Sequence, residues 1–346
     1  MTDMQMRFNT KRIAVALCIC SIVVTILLLY NWRPRHHHKN PFEIDIYDDG
    51  DYDEDAKDAI LRQHLIDYPV FNVKVQKELL QPPAIVPQIL VRKMEPILIT
   101  SSMSDAEVEN NFFRYIETKD VICKNDKRLG FQHDGGYNVC FAPPFGLRKP
   151  CIVYSFGIYD DWNFDDAVSK IYKCNVFSFD PSISQPDHNR SALVKFQRIG
   201  IGTKNEVTRK GWTLKTLGSI LGSNHHEKSV IDYLKFDIEF NEWAVLLALS
   251  EEGALWNVKQ IGFEIHTREL FRQSEPLQRT TTKEDYIRMF KILKTLEKMN
   301  FKQFNYRLNP FGMFKSKVTN VSRSCCYDIH FMNMNFVKKN YTIVES

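Results

Sequence analysis

The chain has 346 residues, 44% of them hydrophobic and 12% aromatic, enough to bury a full core in one large or two smaller domains and too apolar for a disordered polymer. Its 46 Lys and Arg against 42 Asp and Glu leave a formal charge of +4. The basic residues are scattered among acids and form no stripe, so nucleic acid is not an expected partner.

Residues 1–12 read as a cytoplasmic tail. Ile13 to Tyr30, IAVALCICSIVVTILLLY, is an uncharged apolar run close to the length of a helix that crosses a bilayer. It is longer than the apolar part of a cleaved signal peptide, and the following Tyr30-Asn31-Trp32-Arg33-Pro34 offers no small-x-small cleavage site. The expectation is an uncleaved transmembrane signal-anchor over 13–30. Basic residues do not orient it, because Arg7, Lys11 and Arg12 are matched by Arg33, Arg35 and Lys39. The triplets starting at Asn189, Asn320 and Asn340 do, since all three follow the run and are glycosylated only in the secretory lumen. The chain is therefore expected to be a single-pass type II membrane protein of the Golgi or endoplasmic reticulum. Cysteine usage agrees: Cys18 and Cys20 fall in the anchor, and Cys123, Cys140, Cys151, Cys174, Cys325 and Cys326 form an even set available for disulfides. A zinc site is the runner-up to disulfides, since no C-x-x-C pair occurs and adjacent Cys325-Cys326 is poor metal spacing.

Residues 31–104 read as a lumenal stem, partly disordered. They hold His36-His37-His38, an acidic run from Glu43 to Asp58 and a proline-rich break, QPPAIVPQ. The run contains Asp51-Tyr52-Asp53, the D-x-D form with which many glycosyltransferases hold a metal and a nucleotide-sugar. No apolar strand precedes it, so a solvated stem is the preferred reading and a glycosyltransferase the lesser one.

From 105 to 346, apolar strand-like runs alternate with helical patterns, which predicts one α/β domain of βαβ units. Strands are expected at Cys151–Phe156, Asn175–Phe179, Val194–Ile199, Ile231–Asp237, Gln260–Ile265, Phe301–Tyr306 and Tyr327–Met332. Helices are expected at Asp161–Tyr172, Thr213–Leu221, Glu242–Ser250 and Lys283–Met299. In the last of these, Tyr286, Met289, Phe290, Leu293 and Leu296 recur at three- and four-residue intervals and make one apolar face.

Ligands of such sheets bind beyond the carboxyl ends of the strands, so the residues following strands carry the chemistry. Gly157 follows the first strand, where a glycine lets backbone approach a ligand and the next helix offers its amides. Asp180 ends the second, where an acid accepts hydrogen bonds from ribose hydroxyls. The fourth strand lies in YLKFDIEFNEW, Tyr233 to Trp243, and runs into Asp237, Glu239 and Glu242. Burying carboxylates there costs free energy unless they are paired or used. Capping of the next helix, with Lys235 neutralising the acids, is the structural alternative.

Taken in order and spacing, VYSFGIYDDWNFD, NVFSFDPS, FQRIGIG, YLKFDIEFNEW and IGFEIH resemble the S-adenosylmethionine-dependent methyltransferases of the FkbM type, and most closely the membrane-anchored methyltransferase-like protein 24 family. The resemblance covers about Cys123 to Phe336. It implies a Rossmann-like seven-stranded methyltransferase sheet and S-adenosyl-L-methionine as cofactor, with Gly157 in the first cofactor loop and Asp180 on the ribose. Asp134-Gly135-Gly136 resembles a D-G-G piece of the same family and would wrap the methionine end of the cofactor or a substrate. Asp237 or Glu239, with His266 as the alternative, would take the acceptor's proton. A methyl group moves by in-line displacement, so a base and an aligned acceptor are what the strand end must supply. Given the compartment, the acceptor is expected to be a glycan or secreted protein, through O-methylation. Two carboxylates at one strand end also leave room for a divalent ion. Phe240 stands where the family usually has glycine, which keeps open a non-catalytic lumenal binding module with the same fold. A bridge between Cys140 and Cys151 would fix the segment between them.

Overall fold

The computed structural model describes residues 89–269, 280–337 and 342–345. The tail, the apolar run Ile13–Tyr30, Asp51-Tyr52-Asp53 and Asn340 lie outside these residues, as does the stem up to residue 88. No described helix is long and apolar enough to cross a membrane.

The expected strands form one sheet. We label them β1 (Ile152–Phe156), β2 (Asn175–Phe179), β3 (Val194–Gln197), β4 (Tyr233–Phe236), β5 (Gln260–His266), β6 (Phe301–Leu308) and β7 (Cys326–Asn333). Their order is 6-7-5-4-1-2-3, and the two-residue strand His188–Asn189 adds an eighth, antiparallel edge beside β3. All neighbours among β1 to β5 run parallel; β7 is antiparallel to both β5 and β6. Strand order reverses between β1 and β4, which places the carboxyl ends of those two strands at the switch point where α/β sheets bind ligands.

Helices cover the sheet: α1 (Asp105–Ile116), α2 (Asn163–Tyr172), α3 (Leu217–Ser223), α4 (Glu242–Glu251) and α5 (Lys283–Lys298). On α5 the expected stripe is buried, and a capping box of Thr282 and Asp285 starts the helix. One face of β4, β5 and β7 presents Leu234, Phe236, Phe263, Ile265, Ile329 and Phe331 to a core shared with α1, α4 and α5. The period of two sends Tyr233, Lys235, Glu264, His266, Cys326, Asp328 and His330 to the opposite face. That face is partly covered by a hairpin of Asp126–Leu129 and Tyr137–Cys140.

Three expectations change. The folded unit begins before 105, because Ile89–Lys93, assigned to the stem, pairs with Val121–Cys123 and with Thr342–Glu345; its ILVRK sequence supplies the apolar residues a strand needs. Thr213–Lys215 is a strand in parallel register with Gly200–Ile201, not the start of a helix. Thr216 caps α3 by accepting the Ser219 N–H at 3.2 Å, so the helix cannot extend upstream of it. The disulfides join Cys123 to Cys140, Cys151 to Cys174 and Cys325 to Cys326. The Cys140–Cys151 pairing is thus overturned: Cys151 immediately precedes β1 beside Cys174, which immediately precedes neighbouring β2, while Cys140 is bonded to Cys123.

Peptide mapping without reduction is expected to recover the Cys123–Cys140 and Cys151–Cys174 links. Replacing both Cys151 and Cys174 by Ser, which opens a loop of 23 residues, is expected to lower stability by about 3 kcal/mol in denaturant titration. A Cys140–Cys151 peptide, or no loss of stability, contradicts this arrangement.

Candidate active site

A cavity of about 820 Å³ opens beyond the ends of β1, β2 and β4, and Gly157, Asp180, Asp237 and Glu239 all line it. Its size falls in the usual range of small-molecule sites, roughly 300–1,000 Å³. The far wall is built from Gly200, Ile201 and Leu214, and a turn carrying Arg209, Lys210 and Trp212 closes one side.

Gly157 has φ +69°, and a Cβ on it would stand 1.6 Å from the Asp237 carbonyl oxygen. The glycine is thus required by the approach of β1 to β4 as well as by its backbone angle. Asp180 is buried; one carboxylate oxygen accepts the Tyr159 N–H at 2.9 Å and the other accepts the Ser182 N–H and hydroxyl at 2.8 and 2.5 Å. Three of about four acceptor positions of a carboxylate are then used by its own loops. That leaves one for a ligand hydroxyl, where the sequence led us to expect two.

Both loops facing the cavity hold pairs of non-glycine residues at positive φ: Tyr159 (50°) with Asp160 (108°), and Glu239 (53°) with Phe240 (74°). Such conformations cost about 1–3 kcal/mol each and persist where surrounding structure enforces them. Phe240 therefore keeps the left-handed backbone that glycine would adopt, so the loop shape survives the substitution.

The force behind that loop is a charge cluster around His266. Its ring Nδ1–H and its backbone N–H both donate to Glu242 Oε1, at 2.9 and 2.7 Å, and Glu242 is completely buried in the first turn of α4. The ring's other nitrogen, Nε2, faces Glu264 at 3.6 Å and Asp237 and Glu239 at 3.9 Å. Burial alone would depress the imidazole, but Glu242, Glu264 and Asp237 pull it up to about 10. His266 is a cation here, which removes it as the alternative base. Burial conversely raises Glu242 and, with Asp237 close by, lifts Glu264 well above the carboxylate range. Burial also lifts Asp328 to about 7 against the pull of Arg128, which pairs with it at 3.1 Å. Asp237 Oδ1 is buried without a hydrogen-bond partner. Glu239 stands at the rim with 72% of its side chain exposed.

Lys235 does not neutralise Asp237 or Glu239. Its ammonium donates to the Gly157 carbonyl at 3.2 Å and lies 5.0 Å from the centre of the Tyr137 ring. Asp134, Gly135 and Gly136 are not in the cavity wall. The Asp134 carboxylate accepts the Gly135 N–H at 3.0 Å within its own turn, and Arg128 holds that turn through the Phe131 and His133 carbonyls at 3.0 and 2.6 Å. The turn abuts the Gly157 loop, since a Cβ on Gly135 would meet Asp161 Oδ2 at 2.1 Å. Glu264 and Asp328 escaped the sequence reading although the period of two in IGFEIH and CYDIHF puts both on the face of His266, directly across from each other.

A family model described as a methyltransferase domain matches residues 91–333. The human (Homo sapiens) protein called probable methyltransferase-like protein 24 is 28% identical over 253 residues, covering 67% of this chain and 66% of that protein. Its rat (Rattus norvegicus) counterpart is 29% identical over 252 residues, covering 67% of each. The chain thus spans about two thirds of the curated relatives it matches. Among solved structures, a fibrillarin from Aeropyrum pernix, described as holding natively bound S-adenosyl-L-methionine, covers 54% of this chain and 67% of its own with 12% identity and a TM-score of 0.28, a likeness that carries no inference.

Gly157→Ala is expected to part the ends of β1 and β4 and cost about 3 kcal/mol, from overpacking and positive φ together, measured by urea titration. Unchanged stability would mean that β1 and β4 do not close on each other as described.

Proposed function

The chain belongs to the methyltransferase-domain family, and on that premise we propose that it transfers a methyl group from S-adenosylmethionine to a hydroxyl of a glycan or other secretory-pathway acceptor. The observation that carries this reading is the shared cavity: a close-approach glycine after β1, an acid after β2 and a second acid, Asp237, after β4 all line it. When bound, S-adenosylmethionine supplies an activated methyl group on a positively charged sulfur.

The residues present fit that group. Asp180 would hold a ribose hydroxyl with its remaining lone pair, and Ser182 keeps the carboxylate oriented for it. Pro181 and Leu214, which both pack against Gly200, line the cavity with Asp180 and would offer an apolar wall to a flat base. Asp237 is the residue we assign to proton removal from the acceptor: it lines the cavity at the end of β4, and its backbone is fixed against Gly157. His266, held as a cation, keeps the neighbouring acids from repelling one another and so positions Asp237 without touching the reacting atoms. Glu239 at the rim would meet the acceptor.

The secretory setting rests on the apolar run Ile13–Tyr30 and the glycosylation triplets. Asn189 and Asn320 are both exposed, as glycan attachment requires. On this reading the chain is a type II membrane protein of the Golgi or endoplasmic reticulum whose domain faces the lumen.

Full-length chain incubated with methyl-labelled S-adenosylmethionine and a panel of glycans and secreted proteins is expected to label at least one hydroxyl-bearing acceptor. Asp237→Asn should reduce that labelling roughly 100-fold or more while leaving cofactor binding in place. Asp180→Ala should weaken cofactor binding itself. Wild-type chain that binds the cofactor but labels nothing in the panel would favour the binding-module reading; chain that does not bind it would end the proposal.

A further inference from the structure

Cys325 and Cys326, joined to each other, are each 4% exposed, and they sit against Gly312, where a Cβ would stand 2.6 Å from Cys325 Sγ and 3.0 Å from Cys326 Sγ. Cys326 begins β7 directly across from His266, the last residue of β5. One ligand atom each from Glu264, His266 and Cys326 lie within 4.8 Å of one another, and all three residues are buried. This is a mixed oxygen, nitrogen and sulfur donor set of the kind zinc accepts.

A second feature points the same way. Metal-binding histidines nearly always give their other ring N–H to a carboxylate, a backbone carbonyl or a water, which fixes the ring and its tautomer. Glu242, fully buried, takes the His266 Nδ1–H at 2.9 Å and leaves Nε2 facing Glu264. Its second oxygen has no partner, so holding His266 is its only hydrogen-bonded task among the described side chains. A disulfide sulfur, however, is no thiolate, and in the joined state the third donor is closed off.

We propose that reduction of the Cys325–Cys326 bond opens a zinc site made by Glu264 Oε2, His266 Nε2 and Cys326 Sγ. A dithiol reductant donates two electrons and two protons, becomes a disulfide itself and leaves two thiols on the chain. Zinc binding then releases the Cys326 thiol proton to solvent and displaces the protons that His266 Nε2 and Glu264 hold. The ion sits next to Asp237, whose Oδ1 is 3.9 Å from Nε2, so the state of the cysteine pair is read at the acidic end of the cavity. The donors come from two strands that meet only in the folded sheet, which is why cysteine spacing gives no sign of it.

The test uses full-length chain. Oxidised wild type, wild type reduced with a dithiol and desalted without oxygen, and unreduced Cys325→Ser, which leaves Cys326 free, are dialysed against zinc and analysed for bound metal. Cys325→Ser is expected to hold about one zinc more than oxidised wild type, and cobalt in its place should give a near-ultraviolet thiolate-to-metal absorption. Cys326→Ser and Glu264→Gln placed on the Cys325→Ser background should both lose that ion. If Cys325→Ser does not fold, reduced wild type against equally reduced Cys326→Ser gives the same comparison, with a difference of about one zinc expected. No gain of zinc on freeing Cys326, or an ion bound equally well by oxidised wild type, overturns the proposal.

Discussion

The buried contact between Glu242 and His266 is the interaction on which the rest of the site depends. Glu242 belongs to the first turn of α4 and His266 ends β5, so their two hydrogen bonds fasten that helix to that strand. Between the end of β4 and Glu242 the chain has only Asp237 to Asn241, and with the helix fixed these residues must turn sharply. The positive φ of Glu239 and Phe240 is the result. The same turn lays the Asp237 carbonyl against Gly157 and leaves the Asp237 side chain facing the cavity. Strand pairing, helix position and the geometry of the cavity are thereby one constraint.

The charge arrangement follows from the period of the strands. Every second residue of β4, β5 and β7 builds the apolar core, and the residues between them bring carboxylates, an imidazole and an ammonium together on the other face. Buried acids this close repel, and each either takes up a proton or finds a cation. Arg128 answers Asp328, and His266 answers Glu242 and Glu264. The raised carboxyl groups record what is left uncompensated. On the proposed function, a site built this way suits a reaction in which a positively charged sulfur approaches and a proton leaves.

Much of this was legible in the sequence because it is local. The seven strands, the stripe on α5 and the placing of Gly157, Asp180 and Asp237 after strands need only periodicity and chain order. What was not legible depends on partners distant in the chain. Asp134-Gly135-Gly136 looked like a cofactor loop, yet Arg128 secures it as a turn beside the cavity. His266 looked like a base because nothing in its own strand showed that Glu242 would hold it as a cation. Cys140 and Cys151 follow one another among the cysteines, but the pairing of β1 with β2 hands Cys151 to Cys174, and the fold brings Cys140 to Cys123. Phe240 raised doubt about the backbone, and the structure resolves it by keeping the angle and accepting the strain.

On the proposed function, the cavity beyond β1, β2 and β4 holds S-adenosylmethionine with its methyl group toward Asp237. A crystal structure with S-adenosylhomocysteine tests this most directly. The expected structure has a ribose hydroxyl within hydrogen-bond distance of Asp180 and the sulfur on the Gly157 and Asp237 side of the cavity. Ligand bound elsewhere, or with its sulfur directed toward the Arg209 and Trp212 wall, would contradict it.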